Sequence, residues 1–423
     1  MPDLTVAVVG GSGFLGRHVV AQLEQWAAEG QVDGWGVKQV RVLDITQQDA
    51  NAGGKGTAIF EECDIGNADQ LSRSLKGADA VVNCAAVSPD ITQDDVRCSP
   101  DMWRVNVDGV RNLVQACREA GVGVLVHTST LAVKMGGQKL MEHTESLTPH
   151  ISEDALILGD YARGRVRAEE LVLEAHDGPT QTGTRLRTVV LRPPLLYGEG
   201  DRAFVPYVLR LTRAGGNTMP SFGNPDAFQQ AAYVGNVAAA HVMALRKLLR
   251  EDDASELQHV GGLPVYVTDD TPPNNLPGLA YPFLRHLDLQ PARNLSYWTV
   301  AILLLLAKAW GAVRSVFGLS PPGPSALPSW TLHRLGQTIA VVSRMRAELS
   351  MGYAPPFSWP EALARSTAYY CAAFPPGRRP SALEASLSGT QALAVRNLLI
   401  LFSYQQYFNR FLHSVQTIYI YIY

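Results

Sequence analysis

The stretch Thr5-Val-Ala-Val-Val-Gly10-Gly-Ser-Gly13-Phe-Leu-Gly16, followed by a helical run from Arg17, decides the fold. An apolar strand that meets a glycine turn and then a helix is the opening unit of a doubly wound parallel sheet. Gly10 permits the tight turn. Gly13 lets the backbone approach a phosphate because it carries no Cβ, and Gly16 lets helix and strand pack closely. Gly11, Ser12, Phe14 and Leu15 complete the turn, and the positive end of the helix favours an anion there. The unit therefore reads as a dinucleotide site. The next strand, Gln39-Val-Arg-Val-Leu-Asp44, ends in a carboxylate suited to the adenosine ribose hydroxyls. A 2′-phosphate would be repelled, so NAD is favoured over NADP. Arg41 points, by strand alternation, to the opposite face and makes a poor phosphate clamp.

Outward from this unit, strand-like runs alternate with helical ones: residues 57–64, a helix near 68–75, Ala80-Val-Val-Asn-Cys-Ala-Ala86, a helix over 103–119, and a strand over 123–130. A helix over about 161–174 and the strand Thr188-Val-Val-Leu-Arg-Pro193 follow. The alternation predicts an α/β fold, a Rossmann-like parallel sheet with helices on both faces. Residues 1–193 form the nucleotide-binding domain in this reading. Residues 194–374, irregular and rich in Gly and Pro, form a smaller substrate lobe, and 375–423 form a linker and apolar tail.

The 423 residues can bury a large core, and a formal net charge of -3 gives no electrostatic case for nucleic acid. Cys63, Cys84, Cys98, Cys117 and Cys371 are odd in number and lack a Cys-x-x-Cys pair, which argues against a disulfide framework or structural zinc. With the first strand almost at Met1, no secretory signal is expected.

Tyr161-Ala-Arg-Gly-Arg165 places a phenol and a guanidinium one turn apart on one helix face. A fixed cation there favours the phenolate, and such a tyrosine can take or give an alcohol proton during hydride transfer. Thr130, at a strand end, can hydrogen-bond the same substrate oxygen. An ordinary surface helix with a half-buried Tyr and a solvated Arg gives the same spacing, and from spacing alone that reading wins.

Taken in order, Gly10–Gly16, Asp64-Ile65, Asn106-Val-Asp-Gly-Val-Arg-Asn112, Thr128-Ser-Thr130, Tyr161 with Arg165, Leu191-Arg-Pro193, Tyr197-Gly-Glu-Gly200 and Tyr233-Val-Gly-Asn-Val-Ala-Ala-Ala-His241 resemble the extended short-chain dehydrogenase/reductases. Within these the chain resembles the 3β-hydroxysteroid dehydrogenase/Δ5-Δ4 isomerase family over roughly its first 370 residues. The resemblance implies that Tyr161 is the acid/base and that Thr130 is the catalytic hydroxyl, usually Ser. It implies that Asn106 supports a proton-relay water, that Asp64 and Ile65 flank the adenine, that Ala85 belongs to the cofactor set, and that Pro193 lies by the nicotinamide. Arg165 stands where the family has Lys. It keeps the charge but aims its donors differently.

Tyr297-Trp-Thr-Val-Ala-Ile-Leu-Leu-Leu-Leu-Ala307 carries no charge, and Lys308 and Arg314 punctuate the adjoining stretch up to residue 317. Eleven residues of helix rise roughly 16 Å, about half a bilayer core, so a span is not expected. The segment reads as an anchor to one leaflet, with Leu303–Leu306 in lipid, or alternatively as a buried core helix. The resemblance implies endoplasmic-reticulum association with the active domain in the cytosol; a mitochondrial membrane or the cytoplasm is the alternative. A homo-oligomer is left open. The tail finishes Ile-Tyr-Ile-Tyr-Ile-Tyr and has no assigned role. The implied activity is oxidation of a 3β-hydroxysteroid by NAD, with or without a Δ5-to-Δ4 shift. The rivals are a decarboxylating sterol-4α-carboxylate 3-dehydrogenase and an NAD-binding protein without catalysis.

Overall fold

β1 (Asp3–Val9), β2 (Gly36–Asp44), β3 (Ala58–Glu62), β4 (Ala80–Asn83), β5 (Val124–Thr128), β6 (Arg185–Arg192) and β7 (Pro264–Tyr266) pair in parallel. Their spatial order is β7-β6-β5-β4-β1-β2-β3. This computed structural model describes residues 3–375 apart from 33, 48–57, 90, 92–98, 215–216, 220–223, 225, 251–258, 288, 292–295 and 317–327. The chain enters at β1, runs outward to β3 and returns to the other side of β1 with β4. That reversal opens a crevice at the carboxyl ends of β1 and β4, where ligands of such sheets bind.

Both faces are covered, which is why the strands read as nearly continuous apolar runs. Val6, Val8, Val82 and Val126 face α1 (Phe14–Glu29) and α5 (Val234–Leu248), against Val19, Leu23, Val237 and Leu245. Ala7, Val9, Val81 and Leu125 face α2 (Ala68–Ser74), α3 (Gly109–Ala120) and α4 (Gly159–Glu174), against Leu71, Leu113 and Val172. Truncating one such leucine to alanine costs about 2–5 kcal/mol.

Two element bounds differ from the sequence-based expectations. The helix expected over 103–119 is present and runs from Pro100 to Ala120, as α-helix Pro100–Trp103, a π turn over Arg104–Asp108, and α3. The wider turn accommodates Asn106, whose side chain is fully buried on loop backbone rather than on the helix surface. The fifth strand ends at Thr128, because Thr130 caps a 3-10 turn, Leu131–Lys134. α5 packs on the sheet and β7 pairs with β6, although both follow the short strand Leu195–Tyr197.

The remainder forms the smaller lobe. Leu195–Tyr197 pairs with Ala231–Tyr233, and Leu140–His143 with Ala340–Val342. Tyr197, Tyr233, Phe283, Trp359 and Tyr370 pack edge-to-face or tilted in its core. The apolar segment is a helix, α6 (Tyr297–Val316), seated on α7 (Trp330–Leu335), with Tyr297 stacked on His333 at 4.6 Å. It is two-sided: Val300, Ala301 and Leu304 are buried, while Trp298, Ile302, Leu305, Leu306 and Trp310 are exposed. Leu304 therefore belongs to the core, not to the lipid-facing set expected for residues 303–306. Among the described residues no helix is long and apolar enough to cross a membrane. Residues 376–423, the tail, lie outside the described residues.

Candidate active site

The glycine turn is shaped by close approach. A Cβ on Gly10, whose φ is +74°, would sit 2.5 Å from the Ala85 nitrogen, and one on Gly16 would sit 2.1 Å from the Gly10 carbonyl oxygen. β1, β4 and α1 therefore meet at distances only glycine allows. Gly13 precedes α1 with no side-chain cap, and the first turn carries no acidic residue. The N–H groups of Phe14, Leu15 and Gly16 lie in that first turn, where a helix cannot satisfy its own donors. The Arg17 side chain folds back onto the Gly13 and Ser12 carbonyls at 3.2 and 3.3 Å. Asp44 reaches the turn: its carboxylate accepts from Ser12 N–H at 3.0 Å and Ile45 N–H at 2.8 Å. Arg41 points away, donating to the Ser74 and Lys76 carbonyls at the end of α2.

Asp64 accepts from Gly66 N–H at 2.8 Å and pairs with Arg104 at 2.7 Å, so this partner is already in place beside the crevice. Ile65 is buried, close enough to Gly109 that a Cβ there would lie 2.9 Å from it. Ala85 N–H donates to the Asn83 side chain at 3.1 Å, which holds Ala85 over Gly10.

At the other end of the crevice, Ser129 N–H donates to the Leu191 carbonyl at 2.7 Å and Leu131 N–H to the Pro193 carbonyl at 2.8 Å. This continues the β5–β6 pairing by two residues and sets Thr130 beside Pro193. Thr130 is half-buried, and its hydroxyl accepts from Ala132 N–H at 3.2 Å. Tyr161, also half-buried, lies in the first turn of α4. The Asn106 amide is spent on both backbone groups of Val87, at 2.8 and 3.0 Å. The asparagine thus fixes the loop after β4 and the π segment that packs on α4.

Arg165, one turn after Tyr161, is 2% exposed. Its Nη2 donates to the Thr128 carbonyl, while Nε and Nη1 are buried without a hydrogen-bond partner. Beside it on the same sheet face is His127, whose Nδ1 meets the Asn83 amide nitrogen at 3.1 Å. The asparagine oxygen already accepts from Ala85 N–H, so its nitrogen donates and the imidazole carries its proton on Nε2. Burial, then the Arg165 charge, then His241 hold His127 well below the ordinary histidine range. On the opposite face His241 pairs its Nδ1 with the Val237 carbonyl at 2.7 Å and its Nε2 with the Thr128 hydroxyl at 2.8 Å. Burial pushes it down to about 4. Burial likewise pushes the neighbouring Cys84 thiol up to about 12, so it is no nucleophile.

The residues fit a dinucleotide on two observations of this chain. A cradle that any Cβ would fill lies at one end, and buried guanidinium donors that require an acceptor lie at the other. Sequence reasoning missed Asn83, His127, Ser129, Glu169 and Arg192, which form a polar layer between the sheet and α4. A signal was present: Tyr161, Arg165 and Glu169 recur every four residues on one helix face.

Residues 7–297 match the model of the 3-beta hydroxysteroid dehydrogenase/isomerase family. The decarboxylating sterol-4-alpha-carboxylate 3-dehydrogenase of Saccharomyces cerevisiae is 32% identical over 272 residues, covering 63% of this chain and 71% of that one. The 3 beta-hydroxysteroid dehydrogenase/Delta 5-->4-isomerase of Vaccinia virus (strain Western Reserve) is 26% identical over 356 residues, covering 83% of this chain and 94% of that one. The solved structure of MoeE5 in complex with UDP-glucuronic acid and NAD is similar with a TM-score of 0.59 at 19% identity, covering 88% of this chain and all of that one, 100%. That last likeness concerns the fold.

Proposed function

The chain belongs to the 3-beta hydroxysteroid dehydrogenase/isomerase family, and from that premise we propose that it oxidises the 3β-hydroxyl of a steroid or sterol to the ketone with NAD. NAD, when bound, supplies the acceptor for the hydrogen that leaves carbon 3 with its electron pair. The hydroxyl proton goes to Tyr161, the group on α4 able to exchange it, while Thr130 hydrogen-bonds the same oxygen. Arg165, one turn further along α4, is the buried guanidinium nearest to Tyr161 in the chain. Gly10–Gly16 would hold the pyrophosphate, and Asp44 the adenosine ribose. Asp64, Ile65 and Ala85 would line the adenine side, and Pro193 the nicotinamide side. Asn106 acts by fixing Val87.

The observation that carries this reading is the burial of Arg165 one turn from Tyr161, with two guanidinium donors that have no protein partner. Tyr161→Phe keeps the ring and removes the proton carrier, so turnover with a 3β-hydroxysteroid should fall at least about a hundredfold. Full turnover by that variant would sink the assignment. The yeast relative's name favours a 4-carboxylated sterol as one substrate to include; a Δ5-steroid tests the accompanying double-bond shift.

The exposed face of α6 supports a second element of the proposal: the protein rests on a membrane, there to meet an apolar substrate. Ile302, Leu305 and Leu306 form an apolar stripe flanked by Trp298 and Trp310, in the manner of an interfacial helix. We place it on the cytosolic face of the endoplasmic reticulum. Ile302→Ser, Leu305→Ser and Leu306→Ser together should move the full chain from vesicles to the supernatant in a flotation assay. Unchanged partition would refute this contact.

A further inference from the structure

Glu169 stands two helical turns beyond Tyr161 on the same face of α4, and it is buried. Its Oε1 accepts from Arg192 Nε at 2.9 Å and from the Ser129 hydroxyl, and its Oε2 accepts from Arg192 Nε at 3.2 Å and from Nη2. The side chains of the ion pair are 7% and 5% exposed, and the guanidinium lies over the Tyr266 ring at 5.8 Å. The three residues have telling chain neighbours. Ser129 precedes Thr130, Arg192 precedes Pro193, and Glu169 rides on the helix of Tyr161. One buried carboxylate thus ties together the three segments that bring hydroxyl, proline and phenol to the crevice.

We propose that Glu169, Arg192 and Ser129 form a positioning clamp that sets the height and rotation of α4 against β5 and β6, and so the placing of Tyr161 relative to Thr130. The clamp rests on the site reading above, in which Tyr161 carries the proton. A buried ion pair adds little net stability compared with an apolar pair of equal volume. Stability alone therefore does not account for charge at this place. Directional bonds do what apolar contact cannot: they stop the helix sliding along the sheet. A displacement of about 1 Å at a reacting group can cost around a hundredfold in rate.

The experiment separates positioning from stability in the full-length chain. Glu169→Met combined with Arg192→Met removes both charges at similar volume, whereas Ser129→Ala removes only the bond from strand to helix. For each variant, kcat and KM with a 3β-hydroxysteroid, the NAD dissociation constant and Tm are measured. The clamp predicts that both variants keep their NAD affinity and lose about ten- to a hundredfold in kcat, measured well below the Tm of each variant, since Ser129→Ala also gives up a bond to a buried carboxylate. It also predicts that Ser129→Thr, which keeps the hydroxyl, recovers most of the rate. A kcat at the wild-type level in Ser129→Ala, or in a folded double variant, overturns the clamp. If the double variant fails to fold, Ser129→Ala and its threonine rescue decide. Tyr161→Phe run alongside tells the two failures apart. An active Tyr161→Phe overturns the acid/base assignment and the clamp's purpose with it. An inactive Tyr161→Phe beside a fully active Ser129→Ala overturns the clamp alone.

Discussion

Arg165→Lys is the change that asks most of the site, because it restores the residue that similar sequences are expected to carry. The guanidinium has one bond to protein, through Nη2 to the Thr128 carbonyl, and Nε and Nη1 are buried without a hydrogen-bond partner, which leaves them for the ligand in the proposed reading. An ammonium is one compact charge on a flexible stem and cannot span both directions. It must give up either the strand carbonyl or the ligand. Each hydrogen bond to a charged group contributes about 1.5–3 kcal/mol, and each 1.36 kcal/mol is tenfold, so the loss is roughly ten- to a hundredfold. If the strand contact is lost, Tm should fall, because the Thr128 carbonyl sits in the core. If the ligand contact is lost, the KM for NAD should rise. Steady-state NADH formation together with thermal melts distinguishes the two. A variant with higher turnover, tighter NAD binding and unchanged Tm would refute the argument. Arg165 would then be a damaged lysine and not a residue around which the site has re-formed.

Asp44→Ala should narrow the preference for NAD over NADP, read as the ratio of kcat/KM values; a wild type that prefers NADP would overturn the role given to Asp44. His241 gives a pH signature. Its folded value of about 4 lies below the ordinary 6.5. The neutral form is therefore favoured on folding, and the contribution is present in full above pH 6.5 and lost as pH falls towards 4. The shift is worth roughly 3 kcal/mol. Tm should fall more steeply across that window in wild type than in His241→Asn; parallel curves would contradict it.

Much of the sheet was legible because its signals are local. An apolar strand, a glycine turn and a terminal carboxylate lie within forty residues of each other, and strands buried on both faces carry no alternation to misread. The ends of elements were less legible. The π turn around Asn106 depends on the Val87 backbone, nineteen residues away, and β5 ends where Thr130 caps a 3-10 turn that no apolar pattern announces. For α6 the sequence shows an apolar run but not its orientation. Which leucines face outward is settled by where α7 packs, so Leu304 fell on the core side and Leu305 and Leu306 did not.

The candidate site divides along the same line. Gly10–Gly16 and Asp44 are readable from the local strand, turn and helix pattern, whereas Tyr161 and Arg165 stand out only through the family resemblance, since their spacing alone fits an ordinary helix. The polar layer beneath α4 is assembled from β4, β5, β6 and α4, and its members lie far apart in the chain. Its charge balance has a consequence for the reaction. Arg165 and Arg192 bring two positive charges and Glu169 one negative, while burial and Arg165 keep His127 neutral. The layer thus holds more positive than negative charge in a water-poor place behind the helix that carries Tyr161, and half-buried Lys134 lies within reach of Arg192 and Glu169. Fixed charge in such surroundings acts on a developing anion more strongly than it would in water, and it needs no reorganisation when the proton moves. His127 forms part of that balance. Were it to become protonated, a second buried cation would stand beside Arg165 without a counter-charge, so its Asn83 bond and its neutrality keep that charge from growing.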